Sequence, residues 1–126
     1  MNRYVRAAAL LALAALLVAC VPRANLPESC ADPAVTLAVT LVDERLEPTT
    51  LEVCRGQRVT IELDVRRDAV FHVHGYDAEL PARQVSAGET VELQFTAVRS
   101  GQFPIAIHTE DGPGEAEVGA LIVHER

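Results

Sequence analysis

The 126-residue chain contains no lysine, so all of its 11 basic residues are arginines. Aspartate and glutamate together number 18, which gives a net charge of −7 at pH 7. So acidic a surface repels polyanions and disfavours nucleic acid and anionic lipid headgroups as partners. It would weakly favour cations or basic proteins, although solubility alone also explains it. We therefore expect no nucleic acid partner.

The chain also lacks any stretch with the 3.6-residue period of an amphipathic helix. Apolar residues instead alternate with polar ones in short runs separated by glycine and proline, at 35–42, 50–54, 58–65, 70–76, 82–85, 90–96, 102–108 and 118–123. Seven or eight short strands at this spacing are typical of an all-β protein. We predict an antiparallel Greek-key β-sandwich with negligible helix.

The longest hydrophobic run, residues 7–19, lies directly after the basic residues Arg3 and Arg6. It is shorter than the about 20 residues that span a membrane and has the length of the apolar part of a secretion signal. The run ends in Leu-Val-Ala before Cys20, which resembles the lipobox of bacterial lipoproteins. That resemblance implies that Cys20 is lipidated and becomes the first mature residue. An ordinary signal peptide, cleaved at a nearby small residue, is the alternative.

The amino-acid composition after the signal changes at Pro33. Residues 20–33 are rich in proline, asparagine, serine and acidic residues, which favours an extended tether. We therefore predict a signal peptide at 1–19, a lipidated cysteine with its tether at 20–33 and one β domain at 34–126. This organisation predicts a cell-envelope protein on the periplasmic or extracellular face, with the membrane as a partner through its lipid anchor.

Cysteine is scarce, and none of the three cysteines belongs to a Cys-x-x-Cys pair or lies near a histidine. With Cys20 assigned to the lipid, Cys30 and Cys54 remain as an even pair in an oxidising compartment, where a disulfide is expected. It would close a loop of roughly 25 residues and contribute about 3 kcal/mol in the chain-entropy model. Metal ligation by the two thiolates is the alternative, which their sequence context disfavours.

Two of the four histidines lie in one short run, residues 71–77. Strand alternation would place His72, His74 and Tyr76 on one face and Phe71 and Val73 on the other. Imidazole is a common ligand of copper and zinc, so the pair suggests a metal site. Alternatively, these histidines only form hydrogen bonds at the rim of a half-buried strand.

The strands at 59–61 and 91–95, the histidine run between them, the glycine turn at 101 and the final strand at 119–123 follow one another in a distinctive order. This order, over residues 46–123, resembles a cupredoxin. It is most similar to the cupredoxin-like domains of bacterial envelope lipoproteins, which are related to the copper domain of cytochrome oxidase subunit II. In that family, one copper ion is held by a histidine from mid-domain and by a cysteine, a histidine and usually a methionine before the last strand.

The sulfur ligands of that family pattern are missing here. The corresponding segment, 105–110, contains His108 but no cysteine, and the single methionine is Met1. A blue, type 1 copper centre is excluded because it requires a thiolate. What the resemblance implies is a ligand role for one histidine of the His72/His74 pair and for His108. We predict that His72, His74 and His108 together form a nitrogen site for Cu(II) or Zn(II), with Glu110 or Asp111 as an oxygen ligand.

Two functions remain open at this point. The first is a lipid-anchored, cupredoxin-like protein that binds copper, or zinc, through these histidines. The second is a metal-free module with a lapsed site that binds another envelope protein, and the sequence does not choose between a metal cofactor and none. We expect no enzyme activity, because no Ser-His-Asp or Cys-His set is recognisable. The fourth histidine, His124, is predicted to be a solvated residue of the C-terminal tail.

Overall fold

The computed structural model of the protein describes residues 25–109 and 114–126. These residues form a 3₁₀ turn at Glu28–Ala31 and nine β-strands. The strands are β1 (Ala34–Val42), β2 (Arg45–Glu47), β3 (Thr50–Cys54), β4 (Arg58–Val65), β5 (Ala69–Val73), β6 (Arg83–Val85), β7 (Thr90–Thr96), β8 (Gly101–His108) and β9 (Glu115–His124).

The strands form two sheets, which confirms the predicted β-sandwich. One sheet has the order β2-β1-β4-β7 and the other the order β3-β9-β8-β5-β6. The expectation of a purely antiparallel fold was wrong, because β1 is parallel to β4 and β3 is parallel to β9. The count also exceeds the predicted seven or eight strands, since β2, with only three residues, is too short to show alternation.

The core lies between the two sheets and consists of alternate residues of each strand. In β4, for example, Val59, Ile61, Leu63 and Val65 are buried while the residues between them are not. This pattern is the expected result of one strand face packing inward. The outer faces of both sheets are therefore free to carry polar side chains.

The N-terminal turn is fastened to the sandwich beside the end of β9. Cys30 and Cys54 form the predicted disulfide. The amide of Gln57, which is fully buried, accepts a hydrogen bond from the Cys54 N–H at 2.7 Å and donates one to the Asp32 carbonyl at 2.9 Å. Arg126 donates to the Cys30 carbonyl at 2.8 Å. The turn is thus held covalently and by buried hydrogen bonds.

Several predicted features lie outside the described residues. They are the signal peptide at 1–19, Cys20 with the first part of the tether, and the acidic pair Glu110 and Asp111. Within the two described ranges, no helix is both long enough and apolar enough to span a bilayer.

Candidate metal centre

The histidine run begins as a strand and ends as a turn. β5 stops at Val73, and Gly75 adopts a positive φ of 81°, a conformation that glycine tolerates without steric cost. The chain therefore turns Tyr76 into the core, where it is fully buried. The predicted placement of Tyr76 on the histidine face was wrong. His74 remains next to β8, because its N–H donates to the Pro104 carbonyl at 2.9 Å.

Strand register places three polar side chains on the outer face of the five-stranded sheet. His72 on β5 pairs with Ala106 on β8, and His108, two residues further along β8, pairs with Glu115 on β9. Residues two apart on a strand share a face, so His108 is a diagonal neighbour of His72 and lies directly beside Glu115. Three strands thus contribute one side chain each to a single patch.

The polar ends of these side chains converge. His72 Nε2 lies 3.1 Å from His108 Nε2 and 3.0 Å from Glu115 Oε1. His74 Nε2 is in direct contact with the same Glu115 oxygen. One ligand atom each from His72, His108 and Glu115 can be chosen so that all three lie within 4.8 Å of one another. The structure therefore brings His72 and His108 together with Glu115, and His74 joins them through its contact with Glu115.

This spacing is suited to a single ion. Two nitrogens bound to Zn²⁺ at about 2.0–2.1 Å in tetrahedral geometry lie about 3.3 Å apart. The observed separation of 3.1 Å between the two histidine nitrogens is close to that value. Imidazole and carboxylate donors suit Cu(II) and Zn(II), so the donor set agrees with the distances.

Burial and the neighbouring histidines change the pKa of the Glu115 carboxyl in opposite directions. Burial by itself would raise the pKa of the Glu115 carboxyl. The hydrogen bond with His74 and the electrostatic interactions with His74, His72 and His108 outweigh burial and hold the pKa of Glu115 below its ordinary value. Glu115 is therefore a carboxylate near neutral pH, the form in which it can bind a cation.

The cluster is buried on one side and open on the other. The whole His72 residue is only 8% exposed, whereas the side chain of His74 is 44% exposed. His74, Glu115 and Glu117 border a shallow depression that continues to Pro104 and Ala106 on β8. The cluster is thus open to solvent on the side of His74 and closed on the side of His72.

Sequence reasoning missed Glu115 and chose other acidic residues. The predicted oxygen ligands, Glu110 and Asp111, lie outside the described residues and stay a prediction. Glu115 could have been found by extending the last strand back to the loop and pairing it with β8, which sets Glu115 opposite His108. The prediction for His124 was also wrong, because it ends β9 beside Cys54 and its side chain is only 26% exposed.

The sequence matches the cupredoxin-like domain family over residues 9–123, which is most of the chain. The protein belongs to the cupredoxin-like domain family. No curated protein matches the chain significantly in sequence.

Solved structures show the same fold in longer copper proteins. Copper nitrite reductase from Nitrosomonas europaea is 15% identical with a TM-score of 0.57, and a multi-copper oxidase from Pseudomonas thermotolerans is 17% identical with a TM-score of 0.57. The multicopper oxidase mgLAC is 14% identical with a TM-score of 0.59. Each alignment covers 74% of this cupredoxin-like chain but only 42%, 30% and 39%, respectively, of the longer protein. At such identity the likeness shows the fold alone.

Proposed function

We propose that this cupredoxin-like domain binds a divalent transition metal ion, Cu(II) or Zn(II), through His72, His108 and Glu115, with His74 beside them. The observation that carries the proposal is the convergence of donor atoms from β5, β8 and β9 within 4.8 Å on one sheet face. Two Nε2 atoms and a carboxylate oxygen at the spacing of ligands that share an ion are expected of a metal site more than of a chance cluster of histidines.

No sulfur donor lies at the candidate centre within the described ranges 25–109 and 114–126, and this determines the kind of chemistry proposed. Cys30 and Cys54 are joined in a disulfide, so neither provides a thiolate, and the donors present are nitrogen and oxygen. Soft sulfur ligands favour Cu(I), while imidazole and carboxylate favour divalent ions. We therefore propose metal handling or delivery rather than electron transfer through a blue copper centre, and no enzyme activity of the domain itself.

Metal titration of the full chain, purified in detergent, tests the proposal. Competition with a chromophoric chelator should show Cu(II) or Zn(II) bound at one site. His108→Ala should weaken binding at least tenfold, as should Glu115→Gln. The matched controls are His124→Ala, which removes the histidine outside the cluster, and Glu62→Gln, which removes an exposed carboxylate from the other sheet. Equal affinity of wild type and His108→Ala would reject the site.

The proposed setting is the cell envelope. We propose that Cys20 carries a lipid that attaches the domain to a membrane on its periplasmic or extracellular side. Mass spectrometry of the peptide that contains Cys20 should detect the acyl groups, and an unmodified Cys20 would contradict the anchor. If the wild-type chain binds no metal, the alternative is a metal-free module that binds another envelope protein.

A further inference from the structure

We infer that Asp77 orients His72 for metal binding from the side of the imidazole ring that faces away from the ion; this inference rests on the proposed function. His72 Nε2 points to His108 and Glu115, whereas His72 Nδ1 lies 3.9 Å from Asp77 Oδ1. The two nitrogens of one ring thus face two different sets of groups.

A group near Nδ1 of an imidazole can affect metal binding at Nε2 of the same ring. A neutral imidazole has one N–H hydrogen. A ring that binds a metal through Nε2 must therefore carry that hydrogen on Nδ1. Metal-bound histidines usually donate this second N–H to a carboxylate, a carbonyl or a water, which fixes the ring and raises its basicity. At 3.9 Å the contact is longer than a direct hydrogen bond. A bridging water, or a small rotation of the exposed Asp77 side chain, would complete it.

The turn that carries Asp77 is held firmly in place. The hydroxyl of Tyr76 donates to the Arg99 carbonyl at 2.6 Å and accepts from the Arg99 N–H at 3.0 Å. The guanidinium of Arg99 binds both carboxylate oxygens of Glu79 at 2.9 Å, contacts the Gly75 carbonyl and lies 4.7 Å from the centre of the Tyr76 ring. Tyr76 and Glu79, which flank Asp77 in the turn, are therefore held by Arg99, so the Asp77 carboxylate is near His72 before an ion arrives.

The role assigned to Asp77 is that of a positioning residue, because it acts on the metal only through His72. Zn(II) titration of the full chain should show affinity reduced about tenfold in Asp77→Asn and in Asp77→Ala, which is the lower end of the effect of such partners. Asp77→Glu should recover part of the loss. Asp64→Asn is the matched control, because it removes a carboxylate of the same type from the other sheet.

A second measurement separates positioning from a general change in charge or stability. In the Zn(II)-loaded protein, the Nδ1–H of His72 should exchange with water faster in Asp77→Asn than in wild type, as observed by ¹⁵N-resolved NMR. Unchanged affinity and unchanged exchange in Asp77→Asn, while His108→Ala loses binding, would overturn the role of Asp77 and leave the proposed function intact. An equal loss in Asp64→Asn would also overturn it. No binding by wild type would overturn both.

Discussion

Glu79, whose side chain is 22% exposed, makes the stability of the fold depend on pH. Its hydrogen bonds with Arg99 hold the pKa of the Glu79 carboxyl below its ordinary value of 4.5. The folded protein therefore releases this proton more readily than the unfolded chain, and the pair stabilises the fold above pH 4.5. The stabilisation is lost as the pH falls through the lower, native pKa.

Glu79→Gln should consequently lower the free energy of unfolding at pH 7, and its difference from wild type should shrink in acid. Urea denaturation of both proteins across the acid range measures this difference. Glu62→Gln, which changes an exposed carboxylate on β4, is the control and should show a smaller dependence. A difference between wild type and Glu79→Gln that stays constant with pH would contradict the prediction.

At the scale of elements, the turn after β5 decides where the site residues lie. Gly75 has a φ of 81°, and a Cβ atom there would lie 2.8 Å from Phe103 Cδ1. Gly75→Ala should therefore lose about 2 kcal/mol or more of stability, from the left-handed conformation and from the clash together. Gly88→Ala is the matched control, because Gly88 has a φ of 90° but open space around it. Chemical denaturation of the two variants should show the larger loss for Gly75→Ala, and equal losses would contradict the clash.

The sequence predicted the elements better than their connections. Strict alternation in β4 and β7 identifies those strands directly, since one face of each is buried. Alternation could not show that β5 ends at Val73, because a glycine turn continues the histidine run without breaking the pattern of polar residues. Parallel pairing of β1 with β4, and of β3 with β9, joins strands distant in the chain, which no local pattern encodes.

The candidate site could be predicted only in part, since its histidines were selected from the sequence and its carboxylate was not. The three histidines are rare residues in a recognisable family order, so they could be selected from the sequence. Glu115 could not, because its position opposite His108 depends on the register of β8 with β9, which no local sequence pattern sets. Asp77 was visible as a turn residue, but its approach to His72 depends on the buried contact of Tyr76 with the segment before β8.

At the scale of the whole molecule, the disulfide and the candidate metal site lie at opposite ends of β9. Glu115 begins β9, whereas Cys54 pairs with His124 at its end. Replacing Cys30 and Cys54 together by alanine should lower the free energy of unfolding by about 3 kcal/mol. The Zn(II) affinity of the folded protein should remain within about twofold of wild type. Urea denaturation and chelator competition on the same preparation measure both quantities, and a large loss of affinity in the folded double variant would contradict the separation.

The placement of the disulfide and the candidate metal site at opposite ends of β9 affects how the protein would face a membrane. The N-terminal turn joins the sandwich at the disulfide, where β9 ends. Glu115 lies at the other end of this ten-residue strand, on the order of 30 Å away. If Cys20 is acylated as proposed, the lipid is attached ten residues before Cys30, so the domain is tethered through its disulfide end and not through the histidine patch. A donor or acceptor of the ion could then dock from the aqueous space without displacing lipid.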